Sequence, residues 1–169
     1  MSTLQKAGIQ YSEIEPRYLA PADARAAFEQ GSVDAWAIWD PYLAAAQTAT
    51  HARILSNGTG IVNNYQFYFA ARPFTEKHED VIKAYLEELQ KIDDEVKADI
   101  RKSAEFLSPS IGIDVESLVN ALSRREYGIQ PIDDQVVKGQ QDMAEAFQRL
   151  GLIPKPIQVK DTVIKADWR

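Results

Sequence analysis

The sequence predicts an α/β protein whose first third mixes strands with helices and whose remainder is almost entirely helical. Before residue 63, short apolar stretches alternate with alanine-rich stretches, which is typical of parallel α/β units. Residues 63–71 alternate like a strand, with successive side chains on opposite faces. After Thr75, apolar residues recur three and four apart between charged residues, which predicts amphipathic helices.

The composition limits the classes of function. At 169 residues, with 45% hydrophobic and 9% aromatic residues, the chain can bury the core of one domain. Its net charge of -6, without a basic stripe, argues against a nucleic-acid partner. No apolar run is long enough to span a membrane, and residues 1–8 lack the pattern of a secretory signal. Cysteine is absent, which excludes disulfides and thiolate sites.

The first elements follow one another closely. Residues 2–7 predict the end of a helix that stops at a glycine, and residues 17–19 predict a short strand. Pro21 suits the first turn of a second helix that reaches about residue 30, where Gly31 ends it.

Residues 33–42 are the stretch around which the first third is organised. They predict a buried strand that stops at Asp40, followed by a helix that begins with Pro41. Ligands of open α/β sheets bind beyond the carboxyl ends of the strands, so we expect Trp39 and Asp40 to face a cleft. Trp36 and Trp39 lie three residues apart and should point to opposite faces, one of them into the core. Asp40 has the alternative role of a plain helix cap.

The following segments complete the α/β part. They predict a short helix over residues 42–47, a strand at 53–55 and a turn at 56–60 that lacks the spacing and lysine of a phosphate-binding loop. A long strand over residues 63–71 then places Tyr65, Phe67 and Phe69 on one face. Asn64, Tyr65 and Gln66 bring hydrogen-bonding groups to its start, either as ligand contacts or as ordinary strand-end polarity.

The rest of the chain, from Thr75 onward, is predicted to form helices. Thr75 is the expected N-cap of a helical region that bends around Asp93 and Asp94 and continues to residue 107. Further helices are predicted over residues 114–125, capped by Asp114, and 133–150, ended by Gly151, with a last turn within residues 159–168.

The chemistry expected of an enzyme is not evident. His51 and His78 have no partner at metal-ligand or acid–base spacing, so we interpret both as surface or capping residues, and we expect no metal or other cofactor. No nucleophile motif or Walker loop is present. These observations favour a protein that is not an enzyme.

Several runs together resemble a known family. They are YLAPADARAAF at residues 18–28, VDAWAIWDPY at 33–42, NYQFYFAARPF at 64–74, YGIQPI at 127–132 and LGLIPKP at 150–156. The chain resembles the aliphatic sulfonate-binding proteins of ABC importers, which are similar to the taurine- and nitrate-binding families. The resemblance covers nearly all 169 residues.

The resemblance implies a partial type II periplasmic-binding-protein fold, the carboxyl-terminal half of a two-lobed receptor. Residues 1–62 would be the later part of lobe two, 63–71 the hinge strand and 72–169 the helical completion of lobe one. The beginnings of both lobes and the signal peptide lie outside this sequence, so we expect a truncated receptor.

The same resemblance implies a function. The chain would bind an alkanesulfonate or similar small anion in the periplasm and present it to a membrane permease, without inserting into the membrane itself. The implied ligand wall consists of Trp39, Asp40, Pro21 and the segment of Asn64, Tyr65 and Gln66.

Two other hypotheses stay open. One is a biosynthetic enzyme on the same scaffold, because a fold does not fix a function. The other is a regulatory or partner-binding module whose exposed α/β edge pairs with another chain.

Overall fold

A computed structural model describes residues 2–61 and 63–164 of the chain. Their regular elements are helices, ordered along the chain as follows: α1 Ser2–Lys6, α2 Pro21–Glu29, α3 Tyr42–Thr50, α4 Arg72–Thr75, α5 Glu79–Ala98, α6 Ile100–Ile111, α7 Val115–Ser123 and α8 Asp134–Arg149, with 3₁₀ turns at Tyr11–Glu13 and Val159–Thr162. The chain divides into a first unit, Met1–Asn64 with Asp93–Tyr127, and a second unit, Tyr65–Ile92 with Gly128–Arg169.

The first unit is built around α7, which packs against both α3 and α6. Leu118 of α7 is buried, and the hydroxyl of the equally buried Ser117 donates to Thr48 Oγ1 of α3 at 3.1 Å. The other buried hydrophobic residues of this unit are all alanines, namely Ala24, Ala44, Ala45, Ala46, Ala104 and Ala121. The described core of this unit is therefore poor in large apolar groups.

The second unit combines α4, α8 and α5 up to Ile92. The amide group of Gln141 on α8 holds the carboxyl-terminal segment, because Nε2 donates to the Ile157 carbonyl and Oε1 accepts from Val159 N, both at 3.0 Å. Gln90 of α5 accepts from Ile129 N at 2.8 Å. Side-chain amides thus supply hydrogen bonds to backbone N–H and C=O groups that lie outside helices and have no strand partner among the described residues.

Most helix ends follow the sequence prediction. Asp114 and Asp133 cap α7 and α8 through carboxylates that accept from the amides of Ser117 at 2.9 Å and Val136 at 2.8 Å. Gly31 and Gly151 follow α2 and α8 with φ of 71° and 69°, the left-handed conformation that glycine adopts without steric cost.

Two predicted helix boundaries are wrong. Thr75 is the last residue of α4, not an N-cap, since Pro73 fits the first turn of a short helix that starts at Arg72. The bend expected at Asp93 and Asp94 lies at Asp99, whose carboxylate accepts from Lys102 N at 2.9 Å and begins α6. The helix breaks where the carboxylate of Asp99 caps the next helix, whereas Asp93 and Asp94 lie within α5.

The predicted strands at residues 17–19, 33–39, 53–55 and 63–71 are absent from the described residues, so the α/β part of the expected fold class is not observed there. Residues 33–39 were expected to be buried, yet none of them is. A strand needs a neighbour for its backbone N–H and C=O groups, and no described segment supplies one. Of the last predicted turn, Val159–Thr162 is a 3₁₀ turn, while Trp168 lies outside the described residues.

Candidate functional site

The candidate residues Trp39 and Asp40 lie at the start of α3 in the first unit. The Asp40–Pro41 peptide bond is cis, and Asp40 Oδ1 accepts from Ala44 N at 3.0 Å. The Trp39 carbonyl accepts from Leu43 N at 3.0 Å. The N-cap of α3 is Pro41 rather than Asp40, but Asp40, one residue earlier, still satisfies a free amide in the first turn of the helix.

Arg124, at the end of α7, forms an ion pair with Asp40. Its Nη1 lies 3.3 Å from each carboxylate oxygen, and its Nη2 donates to Gln47 Oε1 of α3 at 2.7 Å. The guanidinium offsets the negative charge of Asp40 and ties α7 to α3. Sequence reasoning missed Arg124, because 84 residues separate it from Asp40 and no local pattern pairs them.

The two tryptophans have different surroundings, although they do not lie on a strand and neither is buried in the core as the spacing argument expected. Trp36 is half-buried, with its ring 6.1 Å from that of Phe28 in α2. Trp39 is 58% exposed and meets Tyr42 edge-on, with ring centroids 6.3 Å apart. Trp36 thus serves packing, and Trp39 offers a free aromatic face beside the pair of Asp40 and Arg124.

The other candidates are not joined to this cluster by any described hydrogen bond, ion pair or ring contact. Pro21 is half-buried at the first position of α2. Asn64, Tyr65 and Gln66 are exposed, and the division between the two units falls between Asn64 and Tyr65. Their part in a binding site stays a prediction.

The histidines occupy the positions expected of structural residues. His51 ends α3 in the left-handed conformation, with φ of 52°. His78 stacks on Phe74 with ring centroids 4.7 Å apart. Within the described part of the chain, no three His, Asp or Glu side chains are grouped as metal ligands.

A shallow groove in the second unit lies between α8 and the carboxyl-terminal segment. Its lining is apolar apart from Gln140, and it includes Met143, Phe147, Ile153 and Ile157. It offers few N–H donors for an anion, so it is a poorer candidate for the binding site than the surroundings of Trp39. Among residues 2–61 and 63–164, no helix combines the length and apolarity needed to cross a bilayer.

No protein-family model matches the chain. Two curated proteins do, both named for aliphatic sulfonate binding. The one from Escherichia coli (strain K12) is 36% identical over 164 residues, covering 96% of this chain and 51% of that protein. The one from Bacillus subtilis (strain 168) is 35% identical over 146 residues, covering 86% of this chain and 44% of that protein.

Solved structures give the same result. The periplasmic aliphatic sulphonate binding protein SsuA from Escherichia coli matches 97% of this chain with a TM-score of 0.90 and 36% identity, over 54% of its own length. The alkanesulfonate-binding protein SsuA from Xanthomonas axonopodis pv. citri, bound to MOPS, matches 96% with a TM-score of 0.87 and 34% identity, over 57% of its length.

The chain is similar to aliphatic sulfonate-binding proteins over part of their length. This confirms the family resemblance that the sequence runs carry. The chain spans about half the length of the relatives it matches, consistent with the predicted carboxyl-terminal half. The relatives are named as binding proteins, not enzymes, in agreement with the prediction from the motifs.

Proposed function

We propose that this chain forms one wall of an alkanesulfonate site in the solute-binding component of an ABC importer. The observation that carries the proposal is its similarity, at 36% identity and a TM-score of 0.90 over 97% of the chain, to a periplasmic aliphatic sulphonate binding protein. The protein would work in the periplasm and pass its ligand to a membrane permease. Residues 1–62 would belong to lobe two, 63–71 to the hinge strand and 72–169 to lobe one of a type II periplasmic-binding-protein fold.

The chemistry of the Trp39 region supports this ligand class. An alkanesulfonate combines an apolar tail with a permanently charged head of three acceptor oxygens. The exposed face of Trp39 suits the tail. Asp40 alone would repel the head, but Arg124 offsets its negative charge. A guanidinium has five N–H donors, so Arg124 has further N–H groups besides those that it directs at Asp40 and Gln47.

The remaining candidates have supporting roles in the proposal. Pro21 fixes the start of α2 and would border the cleft, while Asn64, Tyr65 and Gln66 carry exposed amide and hydroxyl groups for the ligand's polar atoms. Asp40 would shape the wall through α3 without contacting the sulfonate, because its carboxylate offers acceptor oxygens and the sulfonate head needs donors.

The test is thermal unfolding of the purified chain with alkanesulfonates, taurine, MOPS, sulfate and nitrate. A ligand that binds only the folded state stabilises it by about 2.7 kcal/mol at 100 times its Kd. We expect sulfonates to raise the Tm and sulfate to leave it unchanged. Trp39→Ala should abolish the shift, whereas Phe106→Ala, which removes an aromatic ring that is 82% exposed elsewhere in the same unit, should retain it.

The proposal would be overturned if no sulfonate moved the transition, either for the chain alone or for the chain combined with the remaining half of the fold. If the sulfonate raised the Tm of Trp39→Ala as much as that of the unaltered chain, Trp39 would not be part of the binding site. Isothermal calorimetry on the same variants separates loss of binding from loss of folding.

A further inference from the structure

Arg124 connects the end of α7 to two points on α3. Its Nη1 lies 3.3 Å from each carboxylate oxygen of Asp40, just before the helix begins. Its Nη2 donates to Gln47 Oε1, well inside the helix, at 2.7 Å. Because the guanidinium is planar and rigid, two contacts from one group restrict how α3 can shift or rotate beside the end of α7.

The charges of this pair suit the helix ends that carry them. Arg124 ends α7, where the helix dipole has its negative end, and Asp40 precedes α3, where the dipole has its positive end. The side chain of Asp40 is 24% exposed and that of Arg124 is 40% exposed, so solvent screens the pair only in part. Both helix dipoles therefore favour the contact.

The backbone that carries Arg124 is itself held by hydrogen bonds. The amide of Arg124 donates to the Ala121 carbonyl at 3.3 Å, and the amide of Arg125 donates to the Leu122 carbonyl at 3.2 Å. The Tyr127 hydroxyl donates to the same Leu122 carbonyl at 2.8 Å. These contacts limit the positions that the guanidinium can reach, as expected of a group that orients another.

Fixing Asp40 also restricts its neighbour Trp39. Asp40 Oδ1 accepts from an amide in the first turn of α3 at 3.0 Å, so its carboxylate is held both by the helix and by Arg124. The Trp39 carbonyl accepts from Leu43 N at 3.0 Å, and the Trp39 ring meets that of Tyr42 edge-on. Trp39 is 58% exposed, so the direction of its ring depends largely on this backbone.

We propose that Arg124 is a positioning residue for sulfonate binding, which holds Asp40 and thereby orients the exposed Trp39 ring toward the apolar tail of the ligand. This role rests on the proposed function, because it assigns Trp39 to the ligand wall. The alternative is a direct contact between the guanidinium and the sulfonate head. Both terminal nitrogens of Arg124 are already directed at oxygens of the protein, which favours the positioning role.

The first test needs no sulfonate. A chain with Trp36→Phe and Trp168→Phe keeps Trp39 as its one tryptophan, so time-resolved fluorescence anisotropy reports the motion of that ring. We expect Arg124→Ala to increase the amplitude of the sub-nanosecond decay about twofold. Arg101→Ala is the matched control, because it breaks a 2.8 Å ion pair between α6 and α7 in the same unit and should leave the decay unchanged. Circular dichroism verifies that each variant is folded.

The second test measures binding of MOPS by isothermal calorimetry in a double-mutant cycle. We expect Arg124→Ala to raise the Kd about tenfold in the unaltered chain but about threefold or less in an Asp40→Asn chain, because the two residues act as one unit. Asp40→Asn keeps an acceptor oxygen for the first turn of α3 and loses the charge that attracts the guanidinium. Arg101→Ala should leave the Kd unchanged.

Two results would overturn the role of Arg124. One is an anisotropy decay of Trp39 that Arg124→Ala does not alter. The other is a Kd that Arg124→Ala raises as much or more in the Asp40→Asn chain, which would assign the guanidinium to direct contact with the anion. If the unaltered chain bound no sulfonate, the proposed function would fail, and the anisotropy comparison would still decide whether Arg124 positions Trp39.

Discussion

At the scale of single residues, side-chain carboxylates determine where helices begin. Asp114 accepts from Ser117 N at 2.9 Å, and this backbone hydrogen bond is the main cause that holds the pKa of its carboxyl below the usual value. The ionised cap is therefore favoured in the folded state. Its contribution is complete above the unfolded pKa of about 3.9 and is lost as pH falls through the lower folded pKa.

We expect Asp114→Ala to lower the free energy of unfolding by about 1 kcal/mol at pH 7, since it removes the cap of α7. Urea denaturation measured at pH 7 and pH 3 checks this, and the cost should be smaller at pH 3. Asp114→Asn is the matched control, because its amide oxygen still caps the helix but does not titrate. A cost for Asp114→Ala that did not change with pH would contradict the assignment.

Residue identity alone predicted some helix ends, but it misassigned Thr75 as a cap and missed both the Asp99 cap and the ion pair. Asp114, Gly31 and Gly151 act within a few residues along the chain, so their sequence neighbours suffice to identify them. Arg124 meets Asp40 only after the intervening chain has folded. Its neighbours in the sequence give no sign of that contact.

At the scale of elements, α7 joins the helices of the first unit. It packs on α3 and α6, and Leu118, 2% exposed, is its large buried side chain. We expect Leu118→Ala to cost about 3 kcal/mol of unfolding free energy, combining lost apolar transfer with a residual cavity. Leu55→Ala, the same change at a side chain that is 71% exposed, should cost about 0.5 kcal/mol or less. Similar midpoints in urea for the two variants would refute this account of the core.

The helices could be predicted from the sequence more fully than the strands, for a physical reason. A helix satisfies its own backbone, so the apolar spacing of α5 and α8 carries most of the information needed. A strand satisfies its backbone only through another strand. The rings of Tyr65, Phe67 and Phe69 still lie next to one another, yet the described residues contain no strand that completes a sheet.

At the scale of the whole molecule, apolar burial is unevenly distributed. Among the residues that the structure describes, the buried hydrophobic ones lie in the first unit, so that unit should resist local opening better than the second. We expect amides of α7 to exchange roughly tenfold or more slowly relative to those of α8, equivalent to about 1.4 kcal/mol of opening free energy. Hydrogen exchange followed by mass spectrometry measures both helices in one sample. Equal protection of α7 and α8 would show that burial does not govern their stability.

The arrangement of the tryptophans also has an optical consequence. Trp36 rests beside Phe28, while Trp39 stands largely in solvent next to Tyr42. Indole emission moves to longer wavelengths with hydration, and collisional quenchers reach exposed rings first. In a Trp168→Phe variant, we therefore expect two components of tryptophan emission. Trp39, in the proposed ligand wall, should emit at longer wavelength and be quenched readily, and Trp36, packed beside Phe28 of α2, should emit at shorter wavelength and be protected from the quencher.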